Sequence, residues 1–190
     1  DSSSDWRACN GEGRALARRE KRPFNQHYLD KGWMLLGQSD RLMSLVATSD
    51  SFTGGAHGNS RFDFILWDKR AGRAVGPGDL FGSESLLAEA LHDRFCEGLN
   101  AERYERRQGE ELSAEFEACP SLSEITIAPV DANGDGKFDR FRFFAAPYVA
   151  GPYVEGSYEV DAPASMEIVQ EGLKAEFRSS FEVQPDAQPQ

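Results

Sequence analysis

The sequence predicts an α+β fold, an antiparallel or mixed β-sheet with two main helices packed on it. Three observations carry this. Short runs rich in β-branched and aromatic residues recur between turn formers from Trp33 onward. Two stretches keep the 3.6-residue spacing of an amphipathic helix. The helices interrupt the strands rather than alternating with them, which excludes a regular βαβ arrangement. At 190 residues, 39% hydrophobic and 11% aromatic, the chain can bury one core.

Residues 1–32 are polar, with a short helix expected over 13–21 that ends before Pro23, and are read as the remnant of a preceding subdomain. The main domain is expected over 33–182. "WMLLG", "RLMSLVATSDSF" and "SRFDFILWD" read as strands, and in the last Phe62, Phe64 and Leu66 alternate with Asp63, Ile65 and Trp67. Gly72 marks a tight turn. Ser83 or Ser85 then caps a helix in which Leu87, Ala90, Leu91, Phe95 and Leu99 recur at helical spacing, to about Arg107. "SEITIAPVD" and "KFDRFRFFAAPY" are two further strands, and Phe138, Phe141, Phe143 and Phe144 supply much of the expected core. "SYEVDAP" is a short strand, and "ASMEIVQEGLKAEF" reads as a closing helix with Ile168, Leu173 and Phe177 near one face. The tail, 183–190, has no apolar period and is expected to be disordered.

A formal net charge of −11 argues against nucleic acid as a partner, because phosphate binding is driven by Lys and Arg. It would instead steer a cationic partner toward the surface. The basic run "RALARREKR" reads first as a solvated helix face. No apolar run is long enough to span a membrane.

Cys96, in the helix, and Cys119, in the turn "EACPSL", are placed for a staple that would stabilise by roughly 3 kcal/mol. The alternative on the residues alone is two buried thiols in a reducing compartment. Cys9 has no obvious partner.

The sharpest chemical signal is "DANGDGKFD". Asp131, Asn133, Asp135 and Asp139, with the carbonyl of Lys137, stand at positions 1, 3, 5, 9 and 7 of a calcium loop, and Gly136 takes position 6, where the chain must turn. Hard oxygen donors suit Ca²⁺ in a structural role. Position 12 is Arg142 rather than a bidentate glutamate and no helices flank the loop, so this is not an EF-hand. The competing reading is a plain hairpin, for which Asn-Gly and Asp-Gly are strong signals.

His57, in "SFTGGAHGNSRFDF", is a weak catalytic candidate. Asp50, Ser51, Ser60 and Asp63 are its local partners, but none stands in a nucleophile signature. The residues favour a structural or recognition role for it.

The stretch "SFTGGAHGNSRFDFILWDKRAGRAVGPGDLF" and, further on, "APYVAGPYVEG" resemble the extracytoplasmic domain at the C-terminus of RsiV-like, lysozyme-responsive anti-sigma factors, also attached to a peptidoglycan deacetylase of the PdaC type. Phe52 to Asn59 match a strand ending in a "YTGGAHxN" motif, Asp68 to Gly72 an Asp-x-x-x-Gly turn, and 79–81 the "DLF" that opens a helix. The resemblance runs from about Trp33 to Phe181. It implies an α+β domain outside the cytoplasm, periplasmic or at the bacterial surface, and favours the Cys96–Cys119 disulfide. Where the family carries a simple Asp-Gly turn, this sequence has the acidic loop. No deacetylase domain and no transmembrane or sigma-binding segment is recognisable, so neither that activity nor the signalling switch carries over.

The favoured reading is a noncatalytic envelope domain that binds lysozyme, another basic envelope protein or peptidoglycan, with His57, Asn59, Tyr148, Tyr153 and Tyr158 as contacts and Ca²⁺ in the acidic loop. The alternatives are a peptidoglycan-directed hydrolase using His57 and a calcium-stabilised module of a surface assembly.

Overall fold

In the computed structural model, residues 2–82, 84–109 and 116–185 are described, the side chains of 2–6, 9, 77–78 and 84–90 excepted. The expected cap at Ser83, most of the tail (186–190), and the side chains of Cys9, Ser85, Leu87 and Ala90 therefore lie outside the described residues. The chain divides into two compact units, Asp1–Gly32 with Thr48–Arg61 and Trp33–Ala47 with Phe62–Gln190. No helix among the described residues is long and apolar enough to cross a membrane.

The fold is α+β, with two antiparallel sheets and two main helices, α1 (Ser2–Arg19) and α3 (Glu84–Arg107). Strands β1 (Tyr28–Gln38), β2 (Leu42–Phe52), β3 (Asn59–Asp68) and β4 (Arg73–Val75) form one sheet in that order. Strands β5 (Thr126–Val130), β6 (Arg140–Ala145) and β7 (Tyr158–Pro163) form the other. A single turn, α2 (Pro77–Leu80), precedes α3.

In the first unit α1 is longer than the expected 13–21 helix. Asn10 fastens it to the following segment, its side chain donating to the His27 carbonyl at 3.1 Å and accepting from the His27 N–H at 2.7 Å. Tyr28 and Phe52 stack, with ring centroids 6.2 Å apart. Strand β1 begins at Tyr28, inside the stretch read as irregular, because "YLDKGW" lacks the clean alternation that marks a half-buried strand; this part of β1 is exposed on both faces.

The second unit holds the core. Strand β6 is central in its sheet, and both of its faces contribute buried side chains. Phe141 and Phe143 enter a cluster with Leu91, Phe95 and Leu99 of α3 and Tyr158, Val160 and Ala162 of β7. Phe144, on the reverse face, packs with Leu36, Val46, Ala128 and Val130. Phe95 and Phe143 meet at 5.3 Å. Each such buried phenylalanine stabilises the fold by about 1.5–3 kcal/mol relative to exposure. Helix α3 lies so close to β7 at Gly98 that a Cβ there would overlap the Val160 side chain.

The expected closing helix is a correction. Only Glu167–Gly172 coils, as a π-helical turn. Leu173 instead forms an antiparallel bridge to Phe81, Gly82 donates to the Gly172 carbonyl at 2.8 Å, and Lys174 donates to that of Leu80 at 3.0 Å. Pairing with this segment outweighs the helical period, and Ile168, Leu173 and Phe177 are buried regardless.

Candidate functional site

The last turns of α3 carry Arg103, Arg106 and Arg107, and these grip the loop between β6 and β7. Arg103 is 4% exposed. Its Nε and Nη2 donate to the Ala150 carbonyl at 2.9 and 2.7 Å, Nη2 also to Ala118 at 3.1 Å, and Nη1 to the Glu117 carbonyl at 3.1 Å and Asn100 Oδ1 at 3.2 Å. All five guanidinium N–H groups thus have acceptors. Burial lowers the Arg103 pKa from its ordinary value. Arg106 donates to the Glu155 and Ser157 carbonyls and lies 4.1 Å from the Tyr158 ring centroid. Arg107 takes the Glu155 carboxylate in a fork at 2.8 and 3.0 Å, which holds that carboxyl below its usual range. Cations at a helix C-terminus also complement its dipole.

What the clamp displays is a bent loop with aromatic cover. Tyr148 has φ of 71°, a left-handed conformation that costs a side-chain-bearing residue of order 1–3 kcal/mol and persists only where its surroundings impose it. Its N–H donates to the Gly151 carbonyl, and its ring packs 5.8 Å from that of Tyr153. Tyr148 is 54% exposed and the adjoining Val154 90%. Tyr158, expected as a third contact, is a correction. It is fully buried and its hydroxyl donates to Glu155, because it occupies an inward position of β7. The sequence reading missed the arginines, although 103, 106 and 107 fall at i, i+3 and i+4 on one helical face.

The disulfide Cys96–Cys119 is present, with Cα atoms 5.6 Å apart, and joins α3 to the segment whose carbonyls Arg103 holds. His92 Nδ1 and Nε2 each lie 3.6 Å from Cys96 Sγ. Among the described residues, this trio is the group of at least three His, Cys, Asp or Glu ligand atoms within 4.8 Å of one another, and the disulfide consumes two of its members.

The acidic loop, residues 131–139, is knit by its own side chains. The Asp131 carboxylate accepts from the N–H groups of Gly134, Asp135 and Gly136 at 2.8, 3.1 and 3.0 Å. Asn133 Oδ1 accepts from Asp135 N–H, Asp135 Oδ1 from Lys137 N–H, and Asp139 Oδ1 from Ala132 N–H. Gly136 has φ of 90°. The loop abuts β1 at Gly37, where a Cβ would come within 2.8 Å of the Asp131 nitrogen. Its base is closed by Asp139 N–H on the Val130 carbonyl at 3.0 Å.

His57 sits half-buried in the β2–β3 connection, with Nδ1 2.8 Å from the Gly58 carbonyl oxygen. Gly58 packs so tightly that a Cβ would meet the Ser51 carbonyl at 2.9 Å and the Tyr28 hydroxyl at 3.2 Å. Asp50, one of the expected partners of His57, accepts from Ser60 Oγ. Asn59 is exposed on β3 and lines a cavity with Lys31 and Arg61. The Asp-x-x-x-Gly turn has a mechanical reason. Asp68 Oδ1 accepts from Arg70 and Ala71 N–H, Oδ2 takes Arg41 Nε and Nη2 at 2.9 and 2.8 Å, and Gly72 N–H closes on the Asp68 carbonyl.

The architecture is that of an α+β domain with two antiparallel sheets, the three-stranded one carrying both the clamped aromatic loop and the acidic loop. Two solved structures share the fold. A member of the DUF3298 family from Bacteroides fragilis NCTC 9343, BF2082, superposes with a TM-score of 0.65 at 18% identity over 93% of this chain and 67% of its own. A DUF3298 family protein of Pseudomonas aeruginosa PAO1, PA4972, does so with a TM-score of 0.60 at 16% identity over 90% and 72%. At these identities the likeness shows the fold alone. No protein-family model and no curated protein matches the sequence.

Asp68 yields a test of the turn. Hydrogen bonds from Arg41 lower its pKa from 3.8 to about 2. A depressed folded value stabilises the fold above the unfolded pKa, and the benefit fades as pH falls through the folded one. Urea titration should find Asp68→Asn less stable than wild type by about 2 kcal/mol at pH 7, the gap closing between pH 4 and pH 2. A gap constant with pH contradicts this assignment.

Proposed function

We propose that this chain is a noncatalytic binding domain of the bacterial cell envelope, periplasmic or displayed at the surface, whose partner is a basic protein of the lysozyme kind, with peptidoglycan the second candidate. The observation that carries the proposal is the Tyr148–Tyr153 loop, exposed at its tip yet held by Arg103, Arg106 and Arg107 at its base. Rigid aromatic side chains that lose little entropy on binding make effective anchors. A net charge of −11 complements a cationic partner and would speed encounter. The disulfide suits an oxidising compartment. The motif resemblance supports the RsiV-like assignment, which is part of this proposal. The contact of His57 Nδ1 with the Gly58 carbonyl ties the ring to its own turn, the role this proposal gives it.

Structural calcium in the 131–139 loop belongs to the same proposal. Its support is the alternating oxygen donors, which a plain two-residue hairpin does not require. Asp131 and Asp135 each bond backbone N–H groups inside the loop, which orients their carboxylates without neutralising them.

Direct binding to lysozyme and to solubilised peptidoglycan tests the first part. Tyr148→Ala and Tyr153→Ala should each weaken lysozyme binding about tenfold at an unchanged melting temperature. If neither probe binds, or if the wild type turns over peptidoglycan and His57→Ala does not, the reading fails. For the metal, melting in millimolar Ca²⁺ should exceed melting in chelator, by about 2.7 kcal/mol of stability at a hundredfold excess over Kd. Equal melting temperatures remove the site.

A further inference from the structure

Helix α3 places His92 one turn before Cys96 on the same face, and the disulfide brings Cys119 to that spot. Both imidazole nitrogens lie 3.6 Å from Cys96 Sγ, and one ligand atom from each of the three residues falls within 4.8 Å of the other two. A staple between a helix and the segment after it has no need of the imidazole. The trio sits at the margin of the core, where Cys96 and Cys119 pack against the main apolar cluster and all three residues are half-buried.

What these side chains can do depends on the state of the sulfurs. Bonded to each other, they offer no thiolate. A dithiol reductant changes that: it passes two electrons and two protons to the cystine, leaves as its own disulfide, and turns Cys96 and Cys119 into thiols. Two thiolates and an imidazole then share one small patch, a donor set that suits zinc and not calcium or magnesium. The separations fit as well. On a tetrahedral zinc with Zn–N of about 2.0 Å and Zn–S of about 2.3 Å, nitrogen and sulfur stand about 3.6 Å apart. His92 and Cys96 already keep that distance. The two sulfurs must part to about 3.8 Å, which side-chain rotation provides while the Cα atoms stay 5.6 Å apart. Two thiolates also cancel the charge of Zn²⁺, so the loaded site is neutral and can remain against the apolar cluster.

We propose that reduction of Cys96–Cys119 opens a zinc site in which His92, Cys96 and Cys119 are the protein ligands and water takes the fourth position. Each thiol releases its proton to solvent as the metal binds. The ion then assumes the mechanical role of the disulfide, keeping Cys119 and the neighbouring Glu117 and Ala118 carbonyls beside α3, where Arg103 bonds them. This site stands whether or not the Tyr148–Tyr153 loop captures a protein or the 131–139 loop holds calcium, because it uses none of those residues.

The test compares the whole chain oxidised and after reduction with dithiothreitol and desalting, in a Cys9→Ser background that removes the third thiol. Zn²⁺ titrated against a chromophoric chelator should bind the reduced protein with a Kd of about 1 µM or tighter, and the oxidised protein about a hundredfold more weakly. Co²⁺ in place of zinc should give thiolate-to-metal charge-transfer absorption and the visible bands of a four-coordinate ion. His92→Ala, which keeps the disulfide for folding and purification, should weaken zinc binding about tenfold, and Cys119→Ser by about a hundredfold. Zn²⁺ should raise the melting temperature of the reduced protein, chelator should reverse the rise, and the oxidised protein should respond far less. The proposal is overturned if the reduced protein takes up no zinc, or if the oxidised protein binds it as tightly, which would put the ion elsewhere. It is equally overturned if His92→Ala binds zinc as tightly as its parent, a result readable even where Cys119→Ser does not fold. Reduction that unfolds the chain, with zinc failing to restore it, overturns it too.

Discussion

The buried guanidinium of Arg103 is the constraint on which the second unit depends. A charge carried into the interior costs several kcal/mol unless every donor is satisfied, and here five donors meet carbonyls of Ala150, Glu117 and Ala118 and the side chain of Asn100. The acceptors come from three places in the sequence: the helix itself, the segment ending at Cys119, and the loop after β6. None of the three can move without leaving a charged group or a buried carbonyl unpaired. The arginine thus fixes geometry more than it adds net stability, since a well-packed apolar replacement can equal a buried charge in free energy.

The rest of the loop follows from that anchor. Arg106 and Arg107 extend the grip to Glu155 and Ser157, and Glu155 in turn orients Tyr158 at the edge of the core. With both ends held, the backbone between them has little freedom, and Tyr148 is kept at a positive φ that it would otherwise leave. The disulfide works in the same direction by tying Cys119, next to two of the carbonyls Arg103 holds, back to α3. Stored strain, exposed aromatics and a rigid base together describe a preorganised contact surface, which spares a partner the entropy of ordering it.

Much of this was legible in the sequence and some was not. The strands of the second unit and the phenylalanines of β6 were readable because their periodicity reports burial directly, and "FRFF" places Phe141 and Phe143 on one face. The alternating donors of 131–139 were also visible, because local spacing carries them, whereas the Cys96–Cys119 pairing stayed open on the residues alone and was favoured by the family resemblance. The closing helix was misread because the pairing of Leu173 with Phe81 is a long-range contact that no window of sequence contains. Tyr158 was misplaced for a related reason: a tyrosine beside "GPYVEG" looks like a loop aromatic until the β6–β7 register turns it inward. The arginines were missed, since nothing local says that the loop 146–158 folds back over them.

The account rests on the claim that α3 holds the loop in its displayed shape. Native-state hydrogen exchange on the wild type and on Arg103→Met examines this directly, read at the Tyr148 and Val149 amides, which close on Gly151 and Ala146. Strong protection in the wild type, lost in the variant while the amides of β5, β6 and β7 stay protected, is the predicted result. Equal protection of Tyr148 and Val149 in both proteins would contradict it.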